Sequence, residues 1–523
     1  MAPPAPETAF VEIVTPHATP HHGNVQGFTR DDELATPPPF PKATWLVYTS
    51  CFLGMVLPLQ YGWSTSQVNY YKFHKISDCD RRPVTPGTCI MFPGHTKLDW
   101  ILVVNAWILG GMFGALLIGR VADIFGRKRA LQYLCSCIIA GAILQASAFH
   151  LWQFIIGRFI AGLASGAVTG NLGSYINEVA PPYMRSPLGA GLQASITVGI
   201  LLVATTFFYL DFEDGWRIIA AFPIVLAAIF LGLAPFVMVE SPVWLLLNGR
   251  RQDAIDVITR LYGESQVATV LTWLEPKQKL IPAPGASNTD GTHKKHGQAV
   301  AYRDLFSPQL RTQFTIIIGV SIMQKLTGIN TVFYYSSDTF AKAGLENPRV
   351  SAIIIDLVNM FPCLVSGVIA RRLGNRPMFI GGLIGMLVTA IGMTIAMTYK
   401  IPQLTITCMA LFVVSFAGSV GPLSYVYIAD VFPDYGRATV SSIGIFVAWF
   451  SNLVVGVGYP YISSSLDNLA YVPFAVITAI SVLFSLALLP ETAGKTNAEI
   501  QDEFRARREL AHHPYPQRAG FVA

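Results

Sequence analysis

The chain has 523 residues, of which 52% are hydrophobic and only 13% charged, with a mean hydropathy of +0.47. Soluble domains carry about 25% charged residues, so the composition excludes an ordinary soluble fold and points to a polytopic membrane protein. The net charge of +5 makes no case for a nucleic-acid partner, because Lys and Arg gather at the ends of apolar runs, where membrane topology accounts for them.

Residues 1–41 are rich in Pro and polar side chains and lack an apolar signal core, so they read as a disordered cytoplasmic tail. A membrane helix needs about 20 mostly apolar residues. Runs of that kind lie near 44–64, 100–120, 130–149, 153–176, 189–210 and 217–239. A polar stretch follows, and six more runs lie near 310–335, 350–370, 377–398, 404–428, 439–461 and 470–489. The expected architecture is therefore all-α, with twelve transmembrane helices in two six-helix bundles, 42–239 and 310–490. A helical insert (240–309) separates them and a tail (491–523) follows. Within the insert, Ile255, Ile258 and Leu261 have helical spacing, and 281–299 reads as a flexible linker.

Basic residues set the orientation. Arg120, Arg127, Lys128, Arg129, Arg185, Arg371, Arg372, Arg376 and Arg437 fall in loops on one side, with the insert and both termini, and that side is expected to be cytoplasmic. The first opposite loop breaks the pattern, since it carries Lys72, Lys75, Arg81, Arg82 and Lys97. Of seven cysteines, five lie in apolar runs. Cys79 and Cys89 share that polar first loop, and if it is extracellular they are a candidate disulfide. Close glycine spacings, Gly110/Gly114, Gly162/Gly166/Gly170 and Gly381/Gly385, read as tight helix packing.

The most informative stretch is Gln324 to Tyr335, where Gln, Lys, Gly and Asn fall within seven positions of an apolar run. Such groups are costly in lipid unless they face a partner or a wet cavity. Gly328 is expected to loosen the helix there, which membranes tolerate beside a cavity. Charges at helix ends suggest a second device. Asp123, Arg127, Arg158, Glu178 and Arg185 in the first half, with Asp430 and Arg437 in the second, suggest a latch that closes by pairing and opens by separation.

Several motifs now occur in order: Leu59–Thr65 (LQYGWST), Gly157-Arg158-Phe159 through Glu178 and Arg185, Glu240-Ser241-Pro242, Gln324–Tyr335, Gly421-Pro422 and Pro490-Glu491-Thr492. With them the chain resembles the sugar porter family of the major facilitator superfamily over residues 45–500, most of all its facilitative glucose transporters. The resemblance implies facilitated (uniport) transport of hexose, D-glucose foremost, by alternating access with sugar held between the bundles. It implies sugar contacts at Gln193, Ile196, Ile200, Gln324, Lys325, Asn330, Asn359, Tyr425, Trp449 and Asn452. It implies a cytoplasmic gate of Asp123, Arg127, Glu178, Arg185, Glu240, Asp430, Arg437 and Glu491. Amides suit the task because, like sugar hydroxyls, they both donate and accept.

The chain departs from the family at Lys325, where a second glutamine is usual, and at Asp356, usually a small residue. The two are expected to pair across the cavity. Ser64 stands where proton-coupled relatives carry an aspartate, which favours uniport. Asn375 replaces a basic residue, Ala448 a polar sugar contact and Val243 an arginine. A sugar–proton symporter and a non-transporting sugar sensor remain the alternatives. No nucleophile–base or metal-ligand constellation is present, so no enzyme activity, cofactor or metal is expected. The expected partners are a monosaccharide and the lipid bilayer, with the chain working as a monomer in the plasma membrane; no Asn-x-Ser/Thr site supports surface display.

Overall fold

The computed structural model describes residues 41–70, 73, 76–79, 83–85, 88–274, 307–334, 348–433, 437–495 and 497–512. The expected tail before residue 41 and the linker at 281–299 lie outside them.

The long helices are numbered here in chain order. The first half holds α1 (Trp45–Ser66), α2 (Lys97–Phe125), α3 (Arg127–Ala146), α4 (Leu151–Val179), α5 (Pro182–Thr206) and α6 (Gly215–Val237). The second holds α7 (Arg311–Tyr334), α8 (Pro348–Leu373), α9 (Asn375–Thr398), α10 (Pro402–Asp430), α11 (Arg437–Leu466) and α12 (Val472–Leu488). Among the described residues, ten helices are long and apolar enough to cross a bilayer, and α12 is a shorter apolar helix. The remaining helix, α1, is diluted by Ser50, Gln60, Ser64, Thr65 and Ser66, all buried. Its polarity faces protein, so it needs less apolar surface. The described residues are helical with no strand, in agreement with the all-α expectation.

The two halves pack by the same scheme. In the first, α1 lies on α5 and α6, α2 on α4, and α3 on α4 and α6. In the second, α7 lies on α11 and α12, α8 on α10, and α9 on α10 and α12. Between the halves, α2 meets α11 and α5 meets α8, again equivalent pairs. Large apolar side chains such as Leu117, Phe236, Val368 and Leu483 point outward, as surfaces meant for lipid do.

Among the close helix contacts is α2 on α4. A Cβ on Gly114 would lie 2.0 Å from the Leu163 carbonyl oxygen, and one on Gly166 would lie 1.9 Å from that of Gly111. Here backbone rests on backbone, which only glycine permits. Gly381 meets nothing within 4 Å, so that part of the spacing does not mark a contact.

Between the halves lie the helices Pro242–Leu247, Arg251–Tyr262 and Val267–Leu274. The Tyr262 hydroxyl donates to the Val179 carbonyl (2.6 Å), and Thr44 N–H donates to Leu261 O (3.0 Å), so this insert braces the end of α4. After α12, the expected tail holds a helix, Asn497–His512, whose Ile500 and Phe504 are buried. Its Asn497 and Gln501 donate to the carbonyls of Asp430, Val431 and Phe432, bracing the equivalent end of α10. At the opposite end of the molecule, Cys79 and Cys89 are joined in a disulfide, S–S 2.09 Å.

Candidate functional site

The site forms where α5, α7, α8, α10 and α11 converge. α7 is helical over Arg311–Leu326 and again over 329–334. The break falls at Gly328, with φ +92°, and the Phe474 ring of α12 occupies the space where a Cβ would stand. Only glycine adopts that backbone freely. A second irregularity faces it: α10 passes through a π-helical turn, Phe416–Val420, before Gly421-Pro422. Such turns are frequent at functional sites.

These breaks receive the amides. Gln324 Nε2 donates to the Gly421 carbonyl at 3.1 Å, and Tyr425 lies beside it. Asn330 Nδ2 donates to Asn452 Oδ1, and Asn452 Nδ2 to the Tyr334 hydroxyl, both at 2.8 Å. Asn359 is 1% exposed, and both its Nδ2 and its Oδ1 lack a partner among the described residues. It shares the buried face of α8 with Asp356 and Cys363. Cys363 packs with Ala194 of α5 and Ala417 of α10, which brings this face to Gln193. Ile196 and Ile200 are buried on the same helix, with the Ile196 carbonyl against Gly62 of α1.

Trp449 of α11 spans the halves. Its ring lies 5.2 Å from Tyr61 and 5.0 Å from Trp107, and it covers Gly111. Trp107 lies outside every motif singled out above, and Tyr61 and Tyr334 lie within Leu59–Thr65 and Gln324–Tyr335 without having been named as site residues. The polarity of a hydroxyl or indole on an apolar run is too common to single one out. A polar chain continues behind them in the first half. Trp107 Nε1 donates to Ser165 Oγ (3.1 Å), Ser165 to Gln60 Oε1 (3.2 Å), and Gln60 to Ser64 Oγ (2.9 Å).

Lys325 and Asp356 are 8% and 6% exposed, and no ion pair joins them. Arg158 also departs from expectation. It lies in the first two turns of α4, 20 residues from Glu178 and so about 30 Å from that end of the helix. Its NH1 donates to the Ser64 carbonyl (2.6 Å) and its Nε to that of Val103 (3.3 Å), with its guanidinium over the Trp107 ring.

The profile of the family described as "Sugar (and other) transporter" matches residues 41–504. The chain belongs to that family. The transporter is 32% identical over 480 residues to the facilitated glucose transporter member 1 of solute carrier family 2 from Gallus gallus, covering 86% of this chain and 92% of that one. It is 31% identical to the glucose transporter GlcP of Staphylococcus epidermidis, covering 78% and 89%. Among solved structures, the major facilitator proton:xylose symporter XylE bound to 6-bromo-6-deoxy-D-glucose superposes with a TM-score of 0.73 at 20% identity, over 88% of this chain and 99% of that one. The inward-open form of XylE from E. coli gives 0.66, also at 20% identity. The fold of the transporter is therefore that of the major facilitator superfamily.

The charged motifs of the transporter gather at the insert end and come in matched sets. Arg127 sits at the start of α3, with NH1 2.8 Å from Asp123 and Nε 3.2 Å from Glu178. Ser241 Oγ also donates to Glu178. Glu240 accepts from the backbone N–H of Lys128 (3.0 Å) and Ser241 (2.9 Å). In the second half Glu491 accepts from the N–H groups of Asn375, Arg376, Thr492 and Ala493. The glycines before α3 and α9, Gly126 and Gly374, have φ of +96° and +91°, and each carboxylate occupies the space a Cβ would need. Tyr175 donates to the Val239 carbonyl, and Tyr427 to that of Pro490. A difference lies at Asn375, which donates to Thr492 Oγ1 (2.8 Å) where Arg127 makes ion pairs.

Arg127, Glu178, Glu240 and Glu491 thus bind within their own halves, and Glu178, whose partner was expected in the second half, meets Arg127 and Ser241. Arg185 Nε donates to the Ala180 carbonyl, also in its own half. The side chain of Arg437 lies outside the described residues. A link across the gap at this end comes from Arg371 NH2 to the Tyr183 carbonyl, 2.8 Å. At the disulfide end, Ser66 donates to the Phe333 carbonyl and Lys97 to that of Pro460, both at 3.4 Å. Two open clefts, of about 500 and 480 Å³, flank the first half at its disulfide and insert ends. They are lined by surface residues such as Phe149 and Arg250, and none of the central amides is among their lining residues.

Proposed function

We propose that the transporter carries hexose, D-glucose foremost, by facilitated uniport. Sugar binds between the halves, and the halves rock to expose it to one side and then the other. Asn359 is the observation that carries this reading. A buried amide with neither its donor nor its acceptor served costs about 1–3 kcal/mol, and a bound polyol would serve both. Gln193, Gln324, Asn330 and Asn452 surround it with uncharged groups of the same chemistry, and Trp449 and Tyr425 offer apolar faces to the C–H side of a sugar ring. The facilitated glucose transporters and GlcP, by their names, carry the same solute.

On this reading the insert end and both termini face the cytoplasm, the disulfide end faces outward, and the chain works as a monomer in the plasma membrane. The charged sets around Glu240 and Glu491 hold the ends of α3 and α9 rigid while the halves move as bodies. A second reading, proton-coupled uptake, rests on Asp356, a carboxyl on the site-facing side of α8. Ser64 supplies no acid in α1, and Arg158 there meets a backbone carbonyl.

Tracer exchange in proteoliposomes tests both. Exchange of D-glucose, with fructose, galactose and xylose as competitors, supports the carrier, and its absence removes it. Uptake that stops at equilibrium under an inward pH gradient supports uniport. Accumulation above equilibrium replaces uniport with symport.

A further inference from the structure

Among the described residues, three charged side chains are buried around the central site: Arg158, Lys325 and Asp356. Arg127, also buried, belongs to the insert end and is balanced there by Asp123 and Glu178. In the centre two cations stand against one carboxylate. Arg158 is held by two backbone carbonyls and the Trp107 ring. Lys325 has no such support. It makes no hydrogen bond or ion pair with a described residue, and Asp356 does not reach it.

Position decides what Lys325 can do. It follows Gln324, whose amide reaches α10, and lies four residues after Ser321, whose hydroxyl stands against Gly444 of α11. Side chains four apart share a helix face, so Lys325 projects between the α10 and α11 sides of α7, beside the amides. The neighbouring amides are already engaged: Gln324 with Gly421, and Asn330 with Asn452. Lys325 thus brings an ammonium, with three donors and no acceptor, and the buried atoms without a partner among the described residues include both amide atoms of Asn359, Thr327 Oγ1 and Arg158 NH2. An unpaired ammonium in a membrane interior is costly. A neutral hydroxyl offers it a weak acceptor, and a carboxylate offers a charge-assisted one about twice as strong.

We propose that the central site also takes hexuronates, sugars whose C6 is a carboxylate, and that Lys325 is the residue that selects them. The pyranose hydroxyls would meet Asn359 and its neighbours as those of a hexose do, and the carboxylate would pair with Lys325. This deepens the carrier reading and rests on it.

The test uses the full chain in proteoliposomes, with D-glucose and D-glucuronate as tracers and competitors. Wild type exchanges D-glucuronate, and D-glucuronate competes with D-glucose. In Lys325→Gln the ratio of glucuronate to glucose exchange falls at least tenfold, while Lys325→Arg, which keeps the charge, preserves the ratio within about threefold. The inference is overturned if wild type exchanges glucose but neither carries glucuronate nor is inhibited by it. It is also overturned if Gln and Arg variants lower both sugars in equal proportion, which would make Lys325 a structural residue. Loss of glucose exchange in wild type instead removes the carrier reading on which this depends.

Discussion

Asn359 separates binding from folding more clearly than any other side chain here. Its two amide atoms are buried and unserved, so the fold gains nothing from their polarity. In Asn359→Leu the melting temperature of the purified protein should stay level or rise, because the cost of about 1–3 kcal/mol disappears. Sugar affinity, measured by competition in exchange, should fall about tenfold or more. A parallel loss of stability would mean the amide has a structural partner. Glu503, on the helix after α12, offers a pH readout. Burial raises its pKa, but Lys495 at 2.7 Å and Arg507 at 2.6 Å outweigh that, so it lies below its ordinary 4.5. A depressed carboxyl contributes stability above the unfolded pKa and loses it as pH falls through the folded one. Glu503→Gln should therefore lower thermal stability slightly at pH 7, with the difference vanishing as the pH falls through the depressed pKa. At this scale the motifs pointed to polar side chains that the structure buries, and it joins two of them, Asn330 and Asn452. The sequence misled at Arg158, because a charge near a helix terminus does not say which terminus. The Lys325–Asp356 pair failed because adjacency on neighbouring helices depends on rotation about each axis.

The helices themselves were legible to within a few residues, since the bilayer imposes a length that apolar runs must meet. The most uncertain was α1, whose buried polar face lowers its apolarity. The break in α7 was readable from Gly328, while the π turn in α10 was not, because nothing in Phe416–Val420 differs from an ordinary helix. Gly166 shows how firmly α2 and α4 are joined. A methyl there would lie 1.9 Å from the Gly111 oxygen, so Gly166→Ala must push the helices apart. A stability loss of about 1–3 kcal/mol is expected, seen as a lower melting temperature in detergent. Gly173, on the same helix and with nothing near its Cβ position, should accept Ala without loss.

For the molecule as a whole, the paired arrangement of the halves is the main discovery of the coordinates. Each motif of the insert end was visible singly, yet their correspondence was hidden by drift: Arg127 answers to Asn375, and Ser241 to Thr492. Glu240 and Glu491 bind backbone N–H groups at the starts of α3 and α9 in separate halves. Charge at a helix N-terminus contributes about 0.3–1 kcal/mol. Glu240→Gln and Glu491→Gln should each lower stability by that order, and the double variant by their sum, as distant sites do. A double loss well beyond the sum, measured by thermal or denaturant unfolding, would show that the two sets communicate.

The kink at Gly328 divides α7, and the piece beyond it carries both Asn330 and Tyr334. Its Phe333 carbonyl touches Ser66 of the other half. The piece beyond the kink can swing on one pivot while the trunk beneath it stays seated in its neighbours. Arrival of a solute at Asn330 would then be felt at once at the outer seam, with no need to shift a whole helix.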